Sequence, residues 1–430
     1  MALHAWGRLP NPHNANTVRL HDRHADLPNV TLPWLAHGCG RSYGDVCLNR
    51  CGSLLHTINL DHFIDFNPAT GILRAEAGVT LRAILALVVP HGWFLAVTPG
   101  TRDVTLGGAI ANDVHGKNHH VAGSFGHHVR QLEILRSTGE RLRCHAQQHA
   151  ELLRATIGGL GLTGLITWAE IALIPVANPF MTVETTRFGH IDNFWALNAQ
   201  AETCWPYTVA WIDCLAQGKR QGRGVFMTAA HAATQENLPD WREKPRNIPF
   251  DPPVSLVNSL SLRTFNALYW HKARSGTSLQ HHVPYFYPLD AISRWNRIYG
   301  SAGFYQYQCV LPPDATCAGT TSLLNRIARS GQGSFLAVLK TFGNHPPPGM
   351  LSFPRPGATL ALDFPNHGQR TLALFTELDA IVRDAGGAIY PAKDARMPAS
   401  LFKSAFPQWE TFSQWMDPAF SSDFWLRVNS

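Results

Sequence analysis

The chain has 430 residues, 45% of them hydrophobic and 15% charged. That length exceeds one typical core and that composition builds a large buried interior, so two domains are expected and widespread disorder is excluded. A formal net charge of +6 suits an anionic small molecule or a weak association with an anionic surface and falls short of a nucleic-acid footprint.

The first residues, MALHAWGRLPNPHNANTVRL, lack the basic start and unbroken apolar core of a signal peptide. The most apolar window, LRAILALVVPHGWFLAV (81–97), is interrupted by Arg82, Pro90 and His91 and does not read as a membrane span. The expected location is cytoplasmic or peripheral at the inner membrane. Eight cysteines contain no CxxC pair. Cys47 and Cys51 bracket CLNRC, but without a second paired cluster no zinc site, and no other metal, is expected. Buried free thiols are the expected account.

In chain order, GILRAEAG (71–78) reads as a strand. Thr80 then caps a helix whose Leu81, Ile84, Leu85 and Val88 share one face and which ends at Pro90. Residues 130–143 read as a hairpin turning at Thr138–Gly139. Residues 155–176 are glycine-rich and then strand-forming, ending at a VANP break that marks a domain boundary. Beyond 180 aromatic residues become denser, and two proline-rich stretches, 234–254 and 345–356, read as surface loops. TLALFTELDAIVRDAGG (371–387) is an amphipathic helix with Leu374, Leu378, Ile381 and Val382 on one face and Gly386 or Gly387 as its stop.

Three glycine-rich segments stand in the first third: HGCGRSYGD (37–45), TPGTRDVTLGGAIANDVHGKNHH (98–120) and TIGGLGLTGL (156–165). Glycine lets the backbone approach a ligand and turn successive N–H groups onto phosphate oxygens. Three such segments separated by strand-like sequence point to a large phosphate-bearing cofactor lying along a groove. None fits the nucleoside-triphosphate P-loop or a strand–GxGxxG–helix unit.

GCGRSYGD resembles the pyrophosphate-cradling loop of FAD-linked oxidases of the vanillyl-alcohol-oxidase type. The run PGTRDVTLGGAIANDVHGKNHHVAGSFGHHV (99–129) resembles one branch closely, that of decaprenylphosphoryl-β-D-ribose 2′-oxidase. The similarity continues through residues 208–225, 263–270, 287–312, 334–343, 360–365 and 390–397, nearly the whole chain. It implies an α+β, two-domain FAD-binding oxidoreductase fold: an FAD-binding domain (1–178), an inserted antiparallel-sheet substrate domain (179–387), and a C-terminal return to the FAD-binding domain (388–430).

The same resemblance implies the site. Gly38, Cys39, Gly40, Arg41, Ser42 and Tyr43 would hold the pyrophosphate, and Gly100, Thr101, Thr105, Gly107 and Gly108 would run along the flavin. Asn112, His115, Gly116, Lys117 and Asn118 would approach its ring and ribityl chain, with Gly158, Gly161 and Leu165 on the other side. Many relatives link the flavin through a histidine before the serine of the first loop; here that position is Arg41, so non-covalent FAD is expected. Oxidising a secondary alcohol needs a proton acceptor, a hydride acceptor and groups that fix the sugar. Lys393 is the candidate base, with His115 and Gln308 beside it as catalytic residues. Lys117, Phe286, Gln306, Gln308, Lys340, Asp363 and Lys393 are the expected substrate ligands. Gln306 and Gln308 alternate on one strand and so share a face. His119, His120, His127 and His128 are expected to be structural.

The implied activity is FAD-dependent oxidation of the 2′-hydroxyl of a polyprenyl-phosphoryl-β-D-ribose. This is the first half of an epimerisation that makes an arabinose donor for the cell envelope, completed by a separate short-chain-reductase-type keto-sugar reductase. A flavin oxidase of free alditols or sugar lactones is the alternative, and a flavin-binding subunit without turnover a third reading. Two departures from the family pattern stand out. Ala361 replaces a cysteine, so covalent inhibition through that thiol is expected to fail. Phe286 replaces a tyrosine at the expected active-site mouth.

Overall fold

The computed structural model describes residues 3–10, 16–233, 238–244 and 246–430. Part of the first proline-rich stretch, 234–237 and 245, therefore lies outside the described residues. Three short parallel strands open the fold in the spatial order Asn16–Arg19, Ser53–His56, Trp34–His37. A second, antiparallel sheet follows in the order Phe63–Asn67, Ile72–Glu76, Leu165–Pro175, Val129–Leu135, Arg141–His145, and Trp93–Leu95 pairs with the far end of the long strand. Helix Leu81–Val88 forms as its sequence requires. Thr80 accepts the Ala83 N–H at 3.2 Å, and Leu81, Ile84, Leu85 and Val88 are all buried. The hairpin at 130–143 also forms, with Gly139 at φ +84° in its turn.

From Phe180 the chain builds an eight-stranded antiparallel sheet, ordered Gly276–His281, Phe180–Phe188, Gly224–His231, Tyr207–Ile212, Val338–Phe342, Gly357–Pro365, Phe304–Leu311, Ala388–Ile389. Its residues alternate between two environments. Tyr307, Cys309, Leu339, Leu360, Leu362 and Phe364 join the core that takes in helices Thr316–Ser330 and Gln369–Asp384. Gln306, Gln308, Lys340, Thr359, Ala361 and Asp363 point the other way, into a cavity shared with the first third of the chain. The helix over 369–384 buries Leu374, Leu378 and Val382, and Gly386 at φ +68° follows it.

After Ala388–Ile389 the chain returns to its beginning. The Trp34 N–H donates to Ala419 O at 2.6 Å, Trp34 meets Phe420 edge-to-face, and Asp423 N–H reaches Leu48 O. Arg427 holds buried Asp45 through Nε and Nη2 at 2.8 Å each, and buried Asp394 at 2.9 Å. Among the described residues no helix is long and apolar enough to cross a membrane.

Two expectations need correction. The stretch 345–356 is not simply a surface loop: Met350, Leu351 and Phe353 are buried, and Phe353 stacks on Tyr390 at 4.5 Å, because its apolar residues fill the space behind the cavity. The cysteines are all free, yet only Cys144, Cys214 and Cys309 are buried, while Cys51, Cys204 and Cys317 are exposed.

Removing the Arg427 guanidinium strands two buried carboxylates. Arg427→Ala is expected to lower unfolding stability by about 3 kcal/mol, read from chemical denaturation.

Candidate active site

A cavity of about 730 Å³ lies between the first third of the chain and the polar face of the eight-stranded sheet. It falls in the size range of small-molecule and cofactor sites. One wall is the loop 38–43. The chain braces it at its ends, by Thr57 N–H to His37 O at 2.9 Å and Tyr43 N–H to Ala392 O at 3.0 Å. Among the described residues no backbone carbonyl takes up the amides of Cys39, Gly40, Arg41 or Ser42. Gly40 sits at φ +60°, where a Cβ would lie 2.6 Å from His4 O, so only glycine closes this turn. Arg41 folds back, donating to Cys39 O at 2.7 Å with its guanidinium 4.3 Å from the Trp6 ring centre.

The second wall is the run 98–117. Thr105 caps the short helix Leu106–Ala111 through the Gly108 N–H at 3.2 Å. A Cβ on Gly100 would meet nothing within 4 Å, an open space on the cavity side. Asn112 donates to Gly108 O at 2.8 Å, its carbonyl accepts the Tyr390 hydroxyl at 2.8 Å, and its Oδ1 is buried without a partner. Gln306 Oε1 is likewise buried and unpartnered. Unused amides, an open glycine and orphaned carbonyl oxygens are what a bound dinucleotide with phosphate and amide groups would satisfy. The residues present fit FAD.

The third wall is the sheet, and it is cationic. Lys340 donates to Gly116 O at 2.9 Å and meets His115 Nδ1 at 2.9 Å, while the Gln308 amide meets His115 Nε2 at 2.9 Å and Thr359 Oγ1 at 3.2 Å. Burial, then Lys340, pushes the His115 pKa well below the usual imidazole range, so the ring is neutral. A neutral imidazole has one donor and one acceptor nitrogen. Lys117 donates to Tyr285 O and lies 4.0 Å from the Tyr285 ring centre.

Burial pushes Lys117 down to about 7, and burial with the neighbouring Lys117 and Lys393 pushes Lys340 down to about 7. Lys393 has no hydrogen-bond acceptor among the described residues; its Nζ stands 3.9 Å from the Tyr43 ring centre. Burial lowers its pKa, and the Asp363 carboxylate opposes that shift. Burial raises Asp363, against a 2.7 Å hydrogen bond from Gln306 Nε2 and the charge of Lys393. Asp394, adjacent in sequence, turns away to Arg427 and does not pair with Lys393.

Most of the expected site residues line this one cavity: Gly38 to Tyr43, Gly100, Thr101, Thr105, Gly107, Gly108, Asn112, His115, Gly116, Lys117, Gly161, Phe286, Gln306, Gln308, Lys340, Asp363 and Lys393. Three do not. Asn118 faces inward and donates to Ala96 O at 2.8 Å. Gly158 lies against Ser352, its N–H on Ile110 O. Leu165 packs with Trp34, Leu55, Leu135 and Phe420 on the far side of the sheet. Phe286 reaches the cavity from its floor and not its mouth, only 1% exposed, in an aromatic cluster with Phe94 and Tyr207. His119, His120 and His128 bond to Gly343 N, Trp205 O and Ala122 O. His127 meets Ser124 and Pro346 O.

Sequence reading missed Trp6, the Thr98–Tyr287 hydroxyl pair at 2.7 Å, Tyr390, and the carboxylate–arginine cluster at the mouth. There Arg82 bonds Asp103 at 2.6 Å, and Glu243 meets both Arg82 and Arg102, tying residues 238–244 across to the first third. Thr98, Arg102, Asp103, Tyr287 and Tyr390 stood inside recognisable runs, but their partnerships carry no local pattern, because Thr98 meets Tyr287, Arg102 meets Glu243 and Tyr390 meets Asn112 across long stretches of chain.

The FAD binding domain family matches residues 16–145. Decaprenylphosphoryl-β-D-ribose oxidase of Mycolicibacterium smegmatis is 37% identical, covering 99% of this chain and 97% of that protein. An uncharacterised protein of Streptomyces coelicolor is 32% identical over 81% of this chain and its own full length. A putative D-arabinono-1,4-lactone oxidase of Neurospora crassa is 30% identical over 32% of this chain and 24% of its own.

The cavity lysines set the sign of a pH effect. Folded Lys117 and Lys340 lose their protons near 7, whereas in the unfolded chain they keep them to about 10.4. Between these values the unfolded state binds more protons, so stability of the FAD-free protein rises with pH from about 7 to 10. Thermal unfolding across that range is expected to show the rise, and Lys340→Met to flatten it.

Proposed function

The chain belongs to the decaprenylphosphoryl-β-D-ribose oxidase family of FAD-linked oxidoreductases, and from that membership we propose that it oxidises the 2′-hydroxyl of a polyprenyl-phosphoryl-β-D-ribose to the 2-keto sugar. The observation that carries this reading is the junction of an amide-rich loop, residues 38–43, with a sheet face bearing Gln306, Gln308, Lys340 and Asp363 beside Lys393 in one cavity. Residues 1–178 and 388–430 hold the cofactor in this reading, and 179–387 present the sugar-facing sheet.

Bound FAD supplies the two-electron acceptor for the alcohol oxidation. The chain supplies the rest. The amides of 39–42 and the glycines near 100 and 107 would hold the diphosphate and the length of the cofactor, and Asn112, His115 and Gly116 would take its ring system. Lys393 takes the hydroxyl proton at Nζ: burial lowers its pKa toward the neutral amine a base requires. Asp363 faces Lys393 and fixes Gln306, which with Gln308 orients the sugar hydroxyls. Neutral His115 holds Gln308 in place and is held in turn by Lys340. Lys117 and Lys340 compensate the substrate phosphate, whose charge in turn favours their protonated forms.

Non-covalent attachment is supported by what stands at the loop. Arg41 offers no nucleophile, burial raises the Cys39 thiol, and burial pushes Cys47 up to about 12. The alternative, oxidation of free alditols or sugar lactones, draws on a resemblance confined to about a third of the chain, and three half-buried cavity lysines serve an anionic substrate better than a neutral one. The 2-keto product calls for a separate keto-sugar reductase of the short-chain type. Ala361 on the cavity wall places a methyl group beside Gln308 and Val338, so thiol-directed inhibition at this position has no target.

Anaerobic titration with polyprenyl-phosphoryl ribose is expected to bleach the flavin absorbance; bleaching by xylitol or gulonolactone instead would favour the alternative. Lys393→Ala is expected to keep its bound FAD and slow bleaching by about 10²–10⁴-fold, and the wild-type rate to rise with pH as the amine loses its proton.

A further inference from the structure

Among the described residues, eleven large hydrophobic side chains are exposed, and seven of them fall between residues 250 and 269: Phe250, Val254, Leu256, Leu260, Phe265, Leu268 and Tyr269. Scattered exposure is ordinary, but a contiguous patch marks a contact surface. Its centre is helix Ser259–Lys272, which buries only Leu262 and Asn266, the latter donating to Asp213 at 2.8 Å. Leu260 and Leu268, 75% and 66% exposed, lie on the opposite side. A helix of a water-soluble fold places polar residues there.

From Pro252 to Leu289 the chain has no Asp or Glu, and its only Lys or Arg residues are Arg263, Lys272 and Arg274. None of these three has a carboxylate within 4 Å among the described residues. By contrast, the carboxylates that flank the patch, Asp240, Glu243 and Asp251, are paired with Arg242, Arg102 and Arg8. The patch adjoins the cavity. Tyr269 and Trp211 line it with ring centres 4.6 Å apart, and Phe265 meets Phe335 beside the cavity-lining Leu336.

We infer that helix Ser259–Lys272, with the strand of chain before it, is a docking surface for an anionic lipid bilayer, seating the cavity mouth against the membrane. Leucines inserted between unpaired cations match acyl chains beneath anionic headgroups. A second copy of the chain fits worse, because a two-fold contact through this patch would set an acid-free cationic surface against itself. The inference rests on, and deepens, the reading of the substrate as lipid-linked: the prenyl chain stays in the bilayer while the phosphosugar enters the cavity.

FAD-loaded full-length protein sedimented with vesicles tests this without turnover. With phosphatidylcholine vesicles containing phosphatidylglycerol, the bound fraction is expected to exceed that on phosphatidylcholine alone at least tenfold. Leu260→Glu combined with Leu268→Glu should lower partitioning at least tenfold, and Arg263→Glu with Lys272→Glu and Arg274→Glu on the order of 100-fold. Both variants should keep the flavin spectrum and the wild-type rate on a water-soluble short-chain prenyl-phosphoryl ribose. Wild-type protein that stays in the supernatant with every vesicle overturns the inference, as does either variant binding like wild type. A wild-type dimer that the leucine variant dissolves with vesicle binding unchanged overturns it too. Vesicle binding without turnover of the short-chain substrate would leave docking standing and remove the substrate reading.

Discussion

Three lysines, Lys117, Lys340 and Lys393, converge on one cavity, and Asp363, which faces Lys393, is itself pushed by burial toward its neutral form. Ammonium groups out of water cost free energy unless something anionic joins them. The protein lowers the cost by tying Lys117 to a carbonyl and the Tyr285 ring, and Lys340 to a carbonyl and His115. What remains is a site with an unsatisfied appetite for anions, and both a flavin dinucleotide and a phosphorylated sugar are anions.

The fold delivers this arrangement through the simplest property of a strand. Alternate residues of Phe304–Leu311 and Gly357–Pro365 go to the helical core and to the cavity, so one set of side chains pins the sheet while the other lines the cavity. The antiparallel register puts Gln306 opposite Asp363 and Gln308 opposite Ala361, which is why the amide–carboxylate pair and the His115 contact occur side by side. Rigid strands hold such groups more accurately than loops do. The C-terminal return then sets Lys393 over Tyr43 of the first loop, joining that loop to the sheet wall of the cavity.

What was legible in the sequence was what local physics decides. The Thr80 cap, the four buried residues of its helix, the 136–140 turn and the Gln306/Gln308 alternation follow from periodicity and backbone preference. The glycine loops were legible as a cradle because few other purposes need them together. Leu165, Gly158 and Asn118 do not line the cavity, because a motif gives the neighbourhood of a ligand and not the side of the strand or turn on which each side chain lands. Trp6 under Arg41, and Glu243 bridging Arg82 and Arg102, join distant segments and carry no local pattern. The exposed leucines of helix Ser259–Lys272 were invisible for a different reason: a leucine reads as core until the fold shows that nothing covers it.

The account rests on the loop 38–43 and its neighbours holding an unlinked flavin, and the flavin content of the purified protein tests that most directly. The absorbance spectrum of the native protein, compared with the supernatant after acid precipitation, gives both amount and linkage. The prediction is one FAD per chain, all of it released to the supernatant. A colourless protein that takes up no added FAD, or a precipitate that keeps its yellow colour, would contradict it.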